Sequence, residues 1–221
     1  MTRIRTAVLI SGRGSNLKAL ISACANPGFP AELVLVISNQ ADAAGLQHAR
    51  IAGIPTRIIP HPEFSSRESF DAGVDAALRD ARVELVCLAG FMRILSEGFV
   101  LKWQGRMINI HPSLLPSFKG ARVHERAIAS GVRISGCTVH FVTPEMDSGP
   151  PIAQAAVPVH AGDTPKTLAA RVLAAEHRLY PLALKMVAEG AVRLENGIAV
   201  FSSYACTDDV LMSPGEPPVT R

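Results

Sequence analysis

Short apolar runs alternate with amphipathic stretches along the first half of the chain, the pattern of parallel strands joined by helices. The run at 5–11 predicts a central strand buried on both faces, ended by Ser11 and Gly12. Leu17, Leu20, Ile21 and Cys24 then recur at helical spacing. Residues 32–38 predict a second strand, 43–52 a short helix closed by Gly53, and 55–59 a third strand. A helix follows over 64–79, with Phe70, Val74 and Leu78 on one face, then a strand at 85–88. Met107, Ile108 and Ile110 predict the end of a buried strand, which Pro112 stops because it lacks an N–H and restrains the residue before it.

The later part changes character. A short helix is expected at 124–130. A strand at 135–142 has Cys137, Val139 and Phe141 on one side and Thr138 and His140 on the other, which predicts a half-exposed strand with a structural His140. Prolines bracket an acidic turn at 143–151 with Asp147 near its middle, and another strand follows at 152–160. The longest helix covers 164–187, with Leu168, Val172, Ala175, Leu179, Leu182 and Met186 as its buried stripe and Glu176 on the shoulder, between cleft and solvent. Glu195-Asn196-Gly197 marks a hairpin between 192–194 and 198–201. The expectation is one α/β domain over 1–204, with a Rossmann-like, open, mostly parallel but mixed sheet and helices on both faces; 205–221, rich in Pro and Gly, reads as a flexible tail.

Composition narrows the function classes. A net charge of +3 and 5% aromatics, without clustered Lys and Arg, speak against a nucleic-acid surface. Cysteines 24, 87, 137 and 206 form no C-x-x-C pair, so zinc spacing is absent and no metal is expected. No apolar run approaches a membrane span, and the first residues do not form a secretory signal. The reading is a reduced, cytoplasmic protein without membrane or nucleic-acid partners, a monomer or a homodimer.

Three stretches can carry chemistry. Asn109 and His111 are two apart on a strand and so share a side, at the carboxyl end of the strand, where open α/β sheets bind ligands. An amide N–H and an imidazolium there can hold a developing oxyanion; the same residues also read as a turn cap and a satisfied core histidine. Gly12-Arg-Gly-Ser-Asn16 lies between strand and helix, where free N–H groups and the positive helix end favour an anion. Leu17 replaces the third glycine of the dinucleotide fingerprint, Asn39 stands where the ribose-binding acid would follow, and the Gly-Lys-Ser/Thr ending of a P-loop is missing. A lone phosphate monoester therefore fits better than NAD or ATP, and a plain helix cap by Ser15 is the other reading. Residues 89–95 leave a strand end with large apolar side chains and one arginine, which by periodicity is core.

Asn109-Ile-His111-Pro-Ser-Leu-Leu-Pro116, together with Asp147-Ser-Gly149 and Gly14-Ser-Asn16, resembles the family of formyltransferases that use 10-formyltetrahydrofolate. The resemblance runs from about 5 to about 200 and includes 38–39, 64–67, 88–95, 139–142 and Glu176-His177; the Gly-Ser-Asn loop resembles the glycinamide ribonucleotide branch. It implies the formyltransferase fold and transfer of a formyl group from 10-formyltetrahydrofolate, as co-substrate, to the amine of 5'-phosphoribosylglycinamide. It also implies roles. Gly14, Ser15 and Asn16 would bind the phosphate, and Glu176 the ribonucleotide. Arg67, Met92, Arg93, Ile94 and Leu95, with Asn109, would line the folate pocket, overruling the core reading of 92–95. Asn109 and His111 would act at the formyl carbon, with Asp147 favouring the charged form of His111.

Two departures stand out. Ser148 interrupts the Asp-Gly-Gly of the family, and Leu173 replaces a glutamine. Rival readings within the family are the methionyl-tRNA formyltransferase, which should carry a further C-terminal RNA-binding domain, and the formyltetrahydrofolate hydrolase, which should carry an N-terminal regulatory one; neither is expected in this chain. Outside the enzymes stands a non-catalytic phosphate-binding module, which would leave Asn109, His111 and Asp147 together as coincidence.

Overall fold

The computed structural model describes residues 2–202. The proposed tail at 205–221, including Cys206, lies outside the described residues. Nine strands and six α-helices follow in the order β1 (Ile4–Ile10), α1 (Ser15–Cys24), β2 (Ala31–Ser38), α2 (Gly45–Ile51), β3 (Thr56–Ile58), α3 (Arg67–Asp80), β4 (Leu85–Leu88), α4 (Glu97–Lys102), β5 (Met107–His111), α5 (Val123–Ala129), β6 (Ile134–Phe141), β7 (Pro151–Pro158), α6 (Pro165–Ala188), β8 (Val192–Glu195) and β9 (Ile198–Phe201) among the described residues.

Seven strands form one sheet in the order β3-β2-β1-β4-β5-β6-β7. The first five pair in parallel; β5–β6 and β6–β7 pair antiparallel. The mostly parallel, mixed sheet expected from the sequence is thus present. Successive side chains of a strand face opposite ways, and each face has its own core. Val8 and Ile10 of β1 join Val36, Cys87 and Ile108 beneath residues of α1, α2 and α6. Ala7 and Leu9 join Ile37, Val86 and Met107 beneath α3 and α4. Both faces are covered, which explains why the parallel strands read as unbroken apolar runs. Strand order reverses between β1 and β4, so their carboxyl ends open the crevice at which such sheets bind ligands.

Three expectations need correction. Helix α3 begins at Arg67, three residues later than the pattern suggested, because Ser66 and Ser69 form a reciprocal capping box. Strand β6 is buried on both sides: Thr138 and His140 are as enclosed as Val139. Its polar face is covered by the chain after β5, where Thr138 Oγ1 accepts the Leu115 N–H at 3.0 Å and donates to the Ser113 carbonyl at 2.7 Å. In α6 the buried face is rotated from the expected stripe, with Glu176, Tyr180, Ala183 and Leu184 buried while Leu182 is half exposed. Tyr180 accounts for the rotation: its hydroxyl reaches the Leu88 and Ile108 carbonyls at 3.0 and 3.2 Å, tying α6 to β4 and β5.

Candidate active site

Asn109 and His111 project from the carboxyl end of β5, and antiparallel pairing sets Asn109 opposite His140 and His111 opposite Thr138. Asn109 Nδ2 lies 3.1 Å from His140 Nε2, while His140 Nδ1 donates to the Phe141 carbonyl at 2.8 Å. Burial, first of all, pushes the His140 imidazole below its ordinary pKa; the Phe141 carbonyl and Asp147 oppose this and His111 adds to it. The neutral ring thus carries its hydrogen on Nδ1, and Nε2 can only accept. This fixes the Asn109 amide with its N–H₂ toward His140. One N–H is spent there and the second is left for another acceptor.

His111 is buried, with acceptors at both ring nitrogens. Nε2 donates to the Phe118 carbonyl at 3.0 Å, and Nδ1 lies 3.4 Å from Asp147 Oδ2. A hydrogen on each nitrogen would let the ring serve both. The acidic turn is held in place by the basic loop: Gly120 N–H donates to Asp147 Oδ2 at 2.8 Å, and Lys119 Nζ reaches Ser148 Oγ at 2.5 Å. Ser148, the departure in this turn, therefore supplies an anchor for Lys119. Phe118, Arg122 and Asp147 all have positive φ, a costly backbone state for residues other than glycine. For His111 to offer its Nε2–H to another oxygen, the 117–122 loop must surrender the Phe118 bond.

The glycine loop runs from the end of β1 to α1. Gly14, in the left-handed region, is the cap of α1, and no side chain caps the helix. The plain cap by Ser15 is thereby corrected, since Ser15 is the first helical residue. The first N–H groups of the helix have no intrahelical partner. A Cβ on Gly14 would stand 2.5 Å from Gly45 Cα, so neither loop tolerates a side chain there. Asn16 is buried and donates through Nδ2 to Glu176 Oε2 at 2.7 Å, leaving Oδ1 without a hydrogen-bond partner among the described residues. Glu176 is therefore no solvated shoulder residue. It faces the glycine loop.

At the neighbouring strand end, Met92 and Ile94 are 79% and 59% exposed. Arg93 lies over the Phe70 ring at 5.9 Å, with a buried Nε that has no hydrogen-bond partner among the described residues. Arg67 is exposed at the start of α3, one turn before Phe70. Leu95 departs from its neighbours, because its side chain is packed in the core beside α3 and α4. Only its backbone can face a ligand.

The Formyl transferase family model matches residues 4–184. The chain belongs to the formyl transferase family. It is similar to the Escherichia coli phosphoribosylglycinamide formyltransferase, 46% identical over 192 residues, 87% of this chain and 91% of that protein. It is also similar to the chicken trifunctional purine biosynthetic protein adenosine-3, at 57% over 192 residues; there it spans 87% of this chain but only 19% of that protein. A solved structure of glycinamide ribonucleotide transformylase 1 from Symbiobacterium toebii superposes with a TM-score of 0.87 at 45% identity, covering 90% of this chain and 94% of that one.

Sequence reasoning about this formyl transferase read His140 as structural and did not connect it with Asn109. The signal was available only through topology, since β6 must lie antiparallel beside β5 before position 140 meets position 109. The cysteines offer no rival nucleophile among the described residues: burial pushes Cys24 and Cys137 up to about 12 and Cys87 higher, which keeps the thiols protonated. No group of three His, Cys, Asp or Glu able to hold a metal occurs among the described residues, and no described helix is long and apolar enough to cross a membrane.

Burial pushes the Glu176 carboxyl above its ordinary value of 4.5, opposed in part by the Asn16 bond. The folded chain therefore holds this proton more tightly than the unfolded one. That contribution to stability is full below the ordinary value and is lost as pH rises through the raised one. Denaturant melts across that window should show wild type losing stability relative to Glu176→Gln as pH rises. A gap independent of pH would contradict the burial argument.

Proposed function

We propose that this formyl transferase moves the formyl group of 10-formyltetrahydrofolate to the amine of 5'-phosphoribosylglycinamide, giving formylglycinamide ribonucleotide and tetrahydrofolate, the transfer that serves purine biosynthesis. The observation that carries the reading is the convergence of Asn109, His111 and Asp147 at one strand end, held there by His140 and the Gly120 N–H. The names of the relatives, one a phosphoribosylglycinamide formyltransferase across most of its length, support the substrate pair.

In this reading Gly14, Ser15 and Asn16 take the phosphate at the open end of α1, where N–H groups and the helix dipole favour an anion. Asn16 Oδ1 and Glu176 face the sugar as acceptors. Arg67 and Arg93 offer cations to a carboxylate tail, and Met92, Ile94 and the backbone of Leu95 offer apolar surface and hydrogen bonds to a ring system. The orphaned Nε of Arg93 fits such a role.

The amine lone pair attacks the formyl carbon, and the carbonyl electron pair moves onto oxygen. The free N–H of Asn109 and the His111 imidazolium stabilise that oxyanion, each worth about 3–4 kcal/mol. Collapse breaks the bond from carbon to the folate nitrogen, which keeps the electron pair and receives the proton that the amine gives up. No covalent nucleophile takes part. The three buried, unpaired cysteines among the described residues suit a reducing cytoplasm.

Formyl transfer is tested by following tetrahydrofolate and formylated ribonucleotide together. Equal amounts of both are expected, and only when acceptor is present. Tetrahydrofolate formed without acceptor would replace the transferase with a hydrolase, and no turnover would leave a phosphate-binding module.

A further inference from the structure

Ser11 follows β1 directly and precedes the glycine loop, yet its side chain does not serve that loop. Its hydroxyl donates to Asn39 Oδ1 at 2.6 Å and accepts the Met92 N–H at 2.7 Å. Asn39, 2% exposed just after β2, places Nδ2 3.3 Å from His61 Nδ1. A backbone N–H only donates, so the Ser11 oxygen accepts from Met92, and its proton goes to the Asn39 oxygen that faces it. The Asn39 amide is then fixed with nitrogen toward His61, whose Nδ1 accepts and whose hydrogen sits on Nε2.

The result is one oxygen held in place with a lone pair aimed at the loop that follows β4. The other end of that loop is pinned as well, by Asp71 Oδ2 accepting the Ser96 N–H at 2.6 Å. Between the two pins, Met92 and Ile94 hold their apolar side chains in water. A backbone fixed at both ends, with apolar groups turned out, is a surface organised before its ligand arrives, and such ordering raises affinity by removing its cost from binding.

We propose that Ser11 is a positioning residue for the folate side of the site: it sets the backbone at Met92, with Asn39 and His61 orienting its hydroxyl. This rests on the assignment of 92–95 to the folate co-substrate made above. Ser11 is contiguous with the ribonucleotide loop, which gives the inference a sharp form. Loss of its hydroxyl should weaken the substrate that Ser11 is farther from in sequence and spare the one it adjoins. A merely structural role at the end of β1 would disturb the glycine loop first.

The test measures dissociation constants of tetrahydrofolate and of 5'-phosphoribosylglycinamide by calorimetry on the full chain, for wild type, Ser11→Ala and Ser11→Thr. Ser11→Ala should loosen tetrahydrofolate by several-fold, up to about tenfold, as expected for losing the one hydrogen bond that fixes the Met92 N–H, and leave the ribonucleotide within about twofold. Ser11→Thr, which keeps the hydroxyl, should restore the folate affinity. Asn39→Ala should add little to Ser11→Ala, because the two act through one bond. Both affinities falling together, or neither changing, would overturn the proposal. If Ser11→Ala fails to fold, Ser11→Cys keeps the shape with a poor acceptor and should show the same one-sided loss. Wild type that binds no tetrahydrofolate would sink the folate reading itself; wild type that binds it no better than a folded Ser11→Ala would sink only the role of Ser11.

Discussion

His111→Ala should lower kcat by about 10²–10³-fold, the usual cost of removing one oxyanion donor, while ribonucleotide affinity stays near wild type. The side chain is enclosed, and its two bonds run to the Phe118 carbonyl and toward Asp147, away from the glycine loop at the other strand ends. Its loss therefore strikes the reacting oxygen and not the phosphate. Asp147→Asn should give a smaller loss of the same kind, since an amide keeps the Gly120 bond but no longer favours an imidazolium. Steady-state rates beside calorimetric ribonucleotide binding separate the two quantities. Variants with unchanged kcat and weakened ribonucleotide affinity would remove both residues from the chemistry.

Gly149→Ala should cripple the enzyme without touching a group that meets substrate. A Cβ at 149 would lie 1.7 Å from the Phe141 carbonyl oxygen and 3.3 Å from His140 Nδ1. That carbonyl also takes the His140 Nδ1–H, and Phe141 N–H donates to the Pro150 carbonyl at 3.1 Å. Neither backbone can yield alone, so the acidic turn must lift from β6 and carry Asp147 with it. At about 1–3 kcal/mol for overpacking and roughly 2–4 °C per kcal/mol for a chain of this size, Tm should fall by roughly 2–12 °C. The fall in kcat should at least match that of Asp147→Asn. Gly98→Ala is the control, because nothing lies within 4 Å of its added Cβ; it should leave kcat unchanged. Normal turnover in a folded Gly149→Ala would mean that the turn's seat on β6 does not matter.

Much of this architecture was legible because parallel strands, covered on both faces, advertise themselves as apolar runs, and β1, β2, β4 and β5 emerged within a residue or two of their ends. Asn109 and His111 were readable from the spacing of two on a strand. Asp147 was not, since only resemblance linked a turn some forty residues away to the imidazole, and the structure brings it to 3.4 Å. The burial of Thr138 and His140 was misjudged because alternation along β6 looked like one wet face; at Thr138 the Ser113–Leu115 segment after β5 dries that face, a tertiary event no local pattern records. The stripe of α6 failed for a similar reason. A periodicity count rewards Leu182 and penalises Glu176, but the helix is rotated by the Tyr180 hydroxyl seeking strand carbonyls and by Asn16 receiving the carboxylate. Ser11 carried no sequence signal beyond ending a strand.

The bond between Asn16 and Glu176 joins residues 160 apart in the chain. At ribosomal speeds of roughly 5–20 residues per second, Asn16 is made about 10–30 s before its partner. Late in that interval the glycine loop and the five parallel strands can already have formed, but the buried Asn16 amide has nothing to answer it, and until Asp147 is made His111 has no acid beside it. A nascent chain would thus hold the anion-binding corner of the site well before it could do chemistry there, and competence would arrive only as the last long helix settles across the sheet.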